Sequence, residues 1–375
     1  MQATQRLSST GQSIWLDNIT RDLLLTGTLA RYVQDLSVVG LTSNPTIFDK
    51  ALRHGTSYDE SLRSGVRGRA SLEDLFFRLA LEDITRAADL FRPVHERTAG
   101  VDGWVSLEVS PLLASDAQST LAQAKEQYSR ANRPNLFIKI PGTPEGLAAI
   151  EEAIFSGIPI NVTLLFSTSQ YRAAAESWLR GVERRIEAGL NPNIASVASL
   201  FVSRWDVAVS GKVPAALENK LGIAVAHDCY TAYSQLLASA RWQRAFNAGA
   251  RPQRLLFAST GTKDPKASKT LYVQGLIAPL TVNTMPEETL HALAAQQDVA
   301  AALDPEGGDS SGVLSEFIRS GVDLEALGRR LQEEGAAGFV RSWQDLLSVI
   351  ASKIPVGTVG AGRIDPDHGR TGRAN

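Results

Sequence analysis

The sequence predicts an α/β protein built as a closed (β/α)8 TIM barrel with additional helices, including C-terminal ones. Three observations carry that prediction. Eight strand-like apolar runs are spaced along the chain, each followed by helix-like sequence, which is the alternation of a parallel sheet. The 375 residues leave room for eight such units with insertions. Polar residues gather at the carboxyl ends of the runs, the end at which such barrels carry their chemistry. An open doubly wound sheet is the alternative. The expected plan is one barrel domain over residues 1–355 and a disordered tail over 356–375, which is Gly-rich and polar.

The elements follow in order. Ser13–Asp17 (S-I-W-L-D) is a short strand ending in an acid, and residues 20–36 read as helix with Gly27 as a point of interruption. Val38–Thr42 is the second strand; Asn44-Pro45 then favours an extended residue followed by a helix start. Residues 46–92 read as helices, and Ser71-Leu-Glu-Asp74 has the form of a capping box. Val101–Val109 is the third strand, Asp116–Ala131 an amphipathic helix, and Asn135–Ile140 the fourth strand. A helix is expected from Thr143-Pro144 to about Ser156, with the threonine as cap. Pro159–Phe166 is the fifth strand, Ser167–Ala188 a long helix with one apolar face, and Ile194–Val202 the sixth strand. Residues 205–248 are mostly helical, with a loop at 210–214. Arg254–Ser259 is the seventh strand and Leu280–Thr284 the eighth. Pro286–Gln297 is a helix, and two more are expected at about 323–334 and 336–353.

Composition excludes several function classes. Apolar residues make up 43 % and charged residues 21 %, ordinary for a globular protein, and the net charge of −2 supplies no field toward nucleic acid or an anionic membrane. A single cysteine, Cys229, excludes a disulfide framework and a thiolate metal cluster; its helical surroundings suit a small buried hydrophobe. The five histidines show no metal-ligand spacing, so no metal is expected. The N-terminal residues lack an apolar signal core and no run is long enough to cross a bilayer, which makes the cytoplasm the expected location. No repeat of solenoid period is visible.

The stretch Pro134–Gly142 (P-N-L-F-I-K-I-P-G) organises the rest. Lys139 stands among Leu136, Phe137, Ile138 and Ile140, and burial disfavours an ammonium there. A lysine made neutral this way is a nucleophile able to form a Schiff base with a ketone. A snorkelling or edge-strand lysine is the plainer reading of the run by itself. Other polar residues then accumulate at the same end of the strands: Asp17, Asn44, Glu108, Asn161 and Thr163 two apart on one face, Ser199, Arg204, Ser259 and Lys263. Each has a plain explanation as helix cap, turn residue or solvated charge. Jointly they supply a lysine, two carboxylates, neutral hydrogen-bonding groups and two outlying cations. Carbonyl chemistry on a phosphorylated, polyhydroxylated substrate needs that set.

The segments W-L-D-N-I-T-R-D-L, G-L-T-S-N-P-T-I-F-D-K-A, V-S-L-E-V-S-P, N-L-F-I-K-I-P-G-T, I-N-V-T-L-L-F-S, A-S-L-F-V-S-R-W-D and F-A-S-T-G-T-K-D-P resemble, in order, the transaldolase family. The sequence L-Y-V-Q-G-L-I-A-P-L-T-V-N-T-M-P is similar to the longer bacterial form, and the resemblance covers about residues 10–350. It implies a Schiff-base mechanism without metal or organic cofactor, with Lys139 as nucleophile, Glu108 and Thr163 holding a water for proton shuttling, and Asp17 as the acid/base for C3–C4 cleavage. It further implies that Thr42, Asn44, Asn161 and Ser199 line the site or bind hydroxyls, and that Arg204 binds phosphate. Shorter members carry Ser-x-Arg after the seventh strand. This chain reads S-T-G-T-K there, keeping Ser259 and leaving Lys263 as candidate for the second cation. The implied substrates are sedoheptulose 7-phosphate, fructose 6-phosphate, glyceraldehyde 3-phosphate and erythrose 4-phosphate, with neither nucleic acid nor membrane as partner and a monomer or homodimer as the assembly. A fructose 6-phosphate aldolase without transfer and a non-catalytic sugar-phosphate-binding barrel are the competing functions. Because a nearby carboxylate favours the ammonium form, Asp17 and Glu108 are expected to reach Lys139 through water or substrate rather than by a dry ion pair.

Overall fold

Eight parallel strands close in chain order: β1 (Ser13–Leu16), β2 (Val38–Leu41), β3 (Trp104–Glu108), β4 (Leu136–Pro141), β5 (Ile160–Leu165), β6 (Ser196–Phe201), β7 (Gln253–Ala258) and β8 (Val282–Met285), with β8 paired back onto β1. The computed structural model describes residues 2–65, 71–306 and 308–354. The tail expected over 356–375 lies outside the described residues. All eight expected strands form, and the open sheet is excluded by the β8–β1 pairing.

The local signals act as the sequence implies. Asn44 accepts from the Ile47 N–H at 3.1 Å and starts the helix Pro45–His54. Ser71 and Asp74 form the reciprocal box that starts Leu72–Arg97. Asp116 caps Ala117–Ala131, and Ser167 caps Thr168–Glu187. Gly27, at φ 68°, divides residues 20–36 into the helices Arg21–Leu25 and Thr28–Asp35, since only glycine takes that backbone without cost.

Other expectations need correction. The helix after β4 begins at Gly146 rather than at Thr143; the threonine hydroxyl still accepts from the Gly146 N–H at 3.2 Å. Helices Ala3–Ser9 and Ser310–Arg319 lie where none was expected. The two C-terminal helices are one, Leu324–Ser352. Gly335 does not break it: a Cβ there would stand 3.1 Å from Leu164 Cδ2, so the glycine lets the helix approach the end of β5.

This 29-residue helix crosses the carboxyl rim. Gln332 Nε2 donates to the carbonyls of Gly142 and Leu164, at 3.0 and 2.9 Å. Further along, Thr46 Oγ1 donates to Ser342 Oγ at 2.8 Å, and Trp343 meets Phe76 edge-on at 4.8 Å. At the opposite end of the barrel the interior is aromatic. Trp104 and Phe137 stack at 4.2 Å between centroids, and Trp15 lies 6.0 Å from Phe137. Gly40 makes room for the Trp15 indole, which a Cβ would meet at 2.7 Å.

Candidate active site

The strand register assembles the chemistry. Glu108 at the end of β3 pairs with Lys139 on β4, and Lys139 pairs with Asn161 on β5. In adjacent parallel strands such partners present neighbouring side chains on one face. Lys139 Nζ accordingly lies 3.2 Å from Glu108 Oε2 and donates to the Ser43 carbonyl at 2.9 Å, with both side chains 5 % exposed or less. This corrects the expectation of a water-separated Glu108: the contact is direct and dry, because register places the two residues side by side. Asp17 keeps its separation and makes no ion pair with Lys139. It follows β1, is half-buried, and accepts from Thr42 Oγ1 at 2.8 Å.

Burial raises both carboxylates. For Asp17, desolvation outweighs the opposing influence of Lys139, the Thr42 hydrogen bond and Lys263. For Glu108, desolvation outweighs the Lys139 charge and hydrogen bond, and Asp17 adds a like-charge push in the same direction. Two groups beside the lysine are thus biased toward holding a proton. Glu108 Oε1 and the buried Thr163 Oγ1 have no hydrogen-bond partner among the described residues, so each offers a free polar atom in the lysine's surroundings.

A cavity of about 350 Å³ opens above Lys139. Of the residues singled out in the sequence, Asp17, Thr42, Asn44, Lys139, Thr163, Ser199, Arg204, Ser259 and Lys263 line it. Glu108 and Asn161 do not. Asn161 lies in the layer beneath, accepting from Ser199 Oγ at 2.6 Å and donating to Ser106 Oγ at 3.2 Å, so it orients Ser199. Ser259, at φ 55°, shares a hydrogen bond with Ser203 Oγ at 3.0 Å. Arg204 sits 5.6 Å over the Phe201 ring, and burial lowers its guanidinium. Neither Arg204 nor Lys263 has an ion-pair partner among the described residues.

The cavity also holds residues that the sequence reading passed over. Thr46, Ile47 and Lys50 face it from the helix Pro45–His54, and Lys50 adds a third cation. The available signal was that Lys50 stands three residues after Ile47 and four after Thr46, on one helix face. Thr284 on β8 shares a hydrogen bond with Thr42 Oγ1 at 2.8 Å, and Phe339 comes from the C-terminal helix. No sequence pattern marks Phe339, because its place depends on where that helix crosses. Among the described residues, no three His, Cys, Asp or Glu side chains group as metal ligands, and no helix is long and apolar enough to cross a membrane.

The chain matches the family described as transaldolase/fructose-6-phosphate aldolase over residues 14–350. Curated proteins named transaldolase are similar along nearly their whole length. The one from Thermobifida fusca is 45 % identical, over 94 % of this chain and 99 % of its own. That of Parafrankia sp. is 44 % identical, over 93 % and 97 %, and that of Thiobacillus denitrificans 42 %, over 93 % and 100 %.

Proposed function

This chain belongs to the transaldolase/fructose-6-phosphate aldolase family and acts as a transaldolase on sugar phosphates, and from that premise we propose how its residues divide the work. Lys139 is the nucleophile. Its amine attacks the C2 ketone of a ketose phosphate to give a carbinolamine. Loss of water, with protons passed by Glu108 and a water held between Glu108 Oε1 and Thr163 Oγ1, yields the Schiff base. Asp17 then takes the C4 hydroxyl proton. The C3–C4 bond breaks, its electrons move into the iminium, and an aldose phosphate departs. The dihydroxyacetone unit stays on Lys139 as an enamine until it attacks the carbonyl carbon of an acceptor aldose phosphate. The reversed proton transfers release the new ketose.

The observation that carries this reading is the buried Lys139 amine, 3.2 Å from Glu108 and at the base of a cavity whose wall includes Asp17. Thr42 holds Asp17 in place, and Thr284 braces Thr42. Ser199 and Asn44 are placed for the hydroxyls of the retained unit, with Asn161 orienting Ser199. Arg204, Lys263 and Ser259 form the phosphate end, and Lys50 adds to it. The reading places the enzyme in the cytoplasm, where such substrates occur.

Incubation with fructose 6-phosphate followed by borohydride tests the assignment. A reduced three-carbon adduct on Lys139, discharged by prior addition of erythrose 4-phosphate with formation of sedoheptulose 7-phosphate, is the expected result. An unmodified Lys139 in folded, active protein would refute it.

A further inference from the structure

A second cavity, of about 620 Å³, opens at the amino ends of the strands, on the face of the barrel opposite the lysine. Its size is that of a small-molecule site. The stacked pair Trp104 and Phe137 contributes to its wall, and His95 stands edge-on to Trp104 at 4.8 Å. Three large apolar side chains reach solvent around it, Val101 at 47 %, Phe246 at 49 % and Leu280 at 58 % exposed. Apolar residues this exposed, converging on one concavity from three separate loops and helices, mark a binding surface rather than scattered surface hydrophobes.

Its polar groups decide the ligand's charge. Arg254 is fully engaged, donating to Ser13 Oγ at 2.8 Å, the Val101 carbonyl at 2.6 Å and Asp102 Oδ1 at 2.9 Å. Glu96 is matched by Arg92 at 2.7 Å. The exposed Arg251, which also lines the cavity, has no ion pair or hydrogen bond among the described residues, and the half-buried Tyr128 hydroxyl has no partner among them either. One unmatched cation and one unmatched donor therefore face a chamber with aromatic walls.

We propose that this basal cavity binds a planar aromatic anion, a fused-ring or biaryl carboxylate or sulfonate. The ring system packs against the Trp104–Phe137 wall under Val101, Phe246 and Leu280, and the acid group meets Arg251 at the rim. Offset stacking and cation pairing supply the two halves of recognition. The site is separate from the catalytic cavity and shares no lining residue with it.

The probe is 8-anilinonaphthalene-1-sulfonate, titrated into the full, active chain. The expected result is one saturable site per chain, with energy transfer from tryptophan and no displacement by fructose 6-phosphate. Arg251→Glu should weaken binding by about tenfold or more. It should leave the neutral analogue N-phenyl-1-naphthylamine little affected. Leu280→Asn, which suits the φ of 59° at that position, should weaken both probes. Transaldolase turnover in both variants shows that they are folded. Equal affinity of wild type and both variants, or several non-saturating sites, would overturn the proposal. So would loss of probe binding at protein concentrations where sedimentation shows a dimer, which would assign the face to a second copy of the chain.

Discussion

Replacing Glu108 by glutamine keeps the shape of the side chain and removes its capacity to take up a proton. A unit charge pair 3.2 Å apart is worth about 5 kcal/mol at an effective dielectric constant of about 20. Taking two such ions out of water costs several kcal/mol each, which opposes that attraction. The upward push on Glu108, from burial and then from Asp17, is what a proton shuttle needs. Positioned acid–base groups contribute about 10²–10⁴ in rate, roughly 3–5 kcal/mol on the barrier. Glu108→Gln should therefore lower kcat by about 10²–10⁴, with the loss in adduct formation. Rapid-quench borohydride trapping with fructose 6-phosphate measures that step, and the acid limb of the kcat/KM profile should flatten with it. A variant trapping the adduct at the wild-type rate, with kcat within about threefold, would show that Glu108 only supports the lysine and would refute the reasoning.

Three further outcomes follow from the same geometry. Asp17→Asn should form the Schiff base but stall before C3–C4 cleavage, so mass spectrometry after borohydride should find the whole reduced ketose phosphate on Lys139 rather than a three-carbon unit. Arg204→Ala removes a cation with no protein ion-pair partner, and a charged hydrogen bond is worth about 1.5–3 kcal/mol, so KM for fructose 6-phosphate should rise about 10- to 150-fold while kcat changes little. Burial raises Asp206 from 3.8 to about 6, against the hydrogen bonds it accepts from Tyr272 and from the Gly222 and Leu221 backbone. The folded chain thus binds that proton more tightly than the unfolded chain. The stability it confers is complete below the unfolded value and is lost as pH rises through about 6. Between pH 5 and 8 the loss from this residue is roughly 1–2 kcal/mol, and Asp206→Asn should make the decline in urea midpoint over that interval shallower by a corresponding amount.

What was legible in the sequence was whatever a strand end or a helix cap fixes locally. Asp17, Glu108 and Lys139 could be placed because each stands at or near the end of an apolar run, and strand ends point to one rim. Asn44 could be placed because a residue before proline that caps a helix has one position to occupy. The contact between Glu108 and Lys139 was not legible, since it depends on the register of β3 against β4, and a shift of one residue would turn the two side chains to opposite faces. Alternation put Asn161 on the same face as Thr163, and the family resemblance implied that it lines the site or binds hydroxyls. It faces the same side but one layer lower, where Ser199 and Ser106 take up its amide. Two helices were expected on either side of Gly335, but close packing against Leu164 and Phe166 gives the glycine a place inside one continuous helix.

The site divides its charges by position. The carboxylates proposed to handle protons, Asp17 and Glu108, stand just after β1 and at the end of β3. The cations come from the segments after β6 and β7 and from the helix Pro45–His54. On the proposed assignment, a phosphate drawn to Arg204, Lys263 and Lys50 would anchor one end of an extended sugar and leave its carbonyl free to reach the lysine. The C-terminal helix completes the arrangement, bringing Phe339 to the cavity while Gln332 fixes it to the ends of β4 and β5. Transfer requires that the enamine meet an aldehyde before a water proton quenches it. An apolar ring over the chamber, held by hydrogen bonds to the strand that carries Thr163 and to the glycine after the strand that carries Lys139, narrows the access of bulk water to the bound three-carbon unit. The C-terminal helix therefore bears on the choice between transfer and simple cleavage, although Phe339 and Gln332 supply no acid, base or nucleophile.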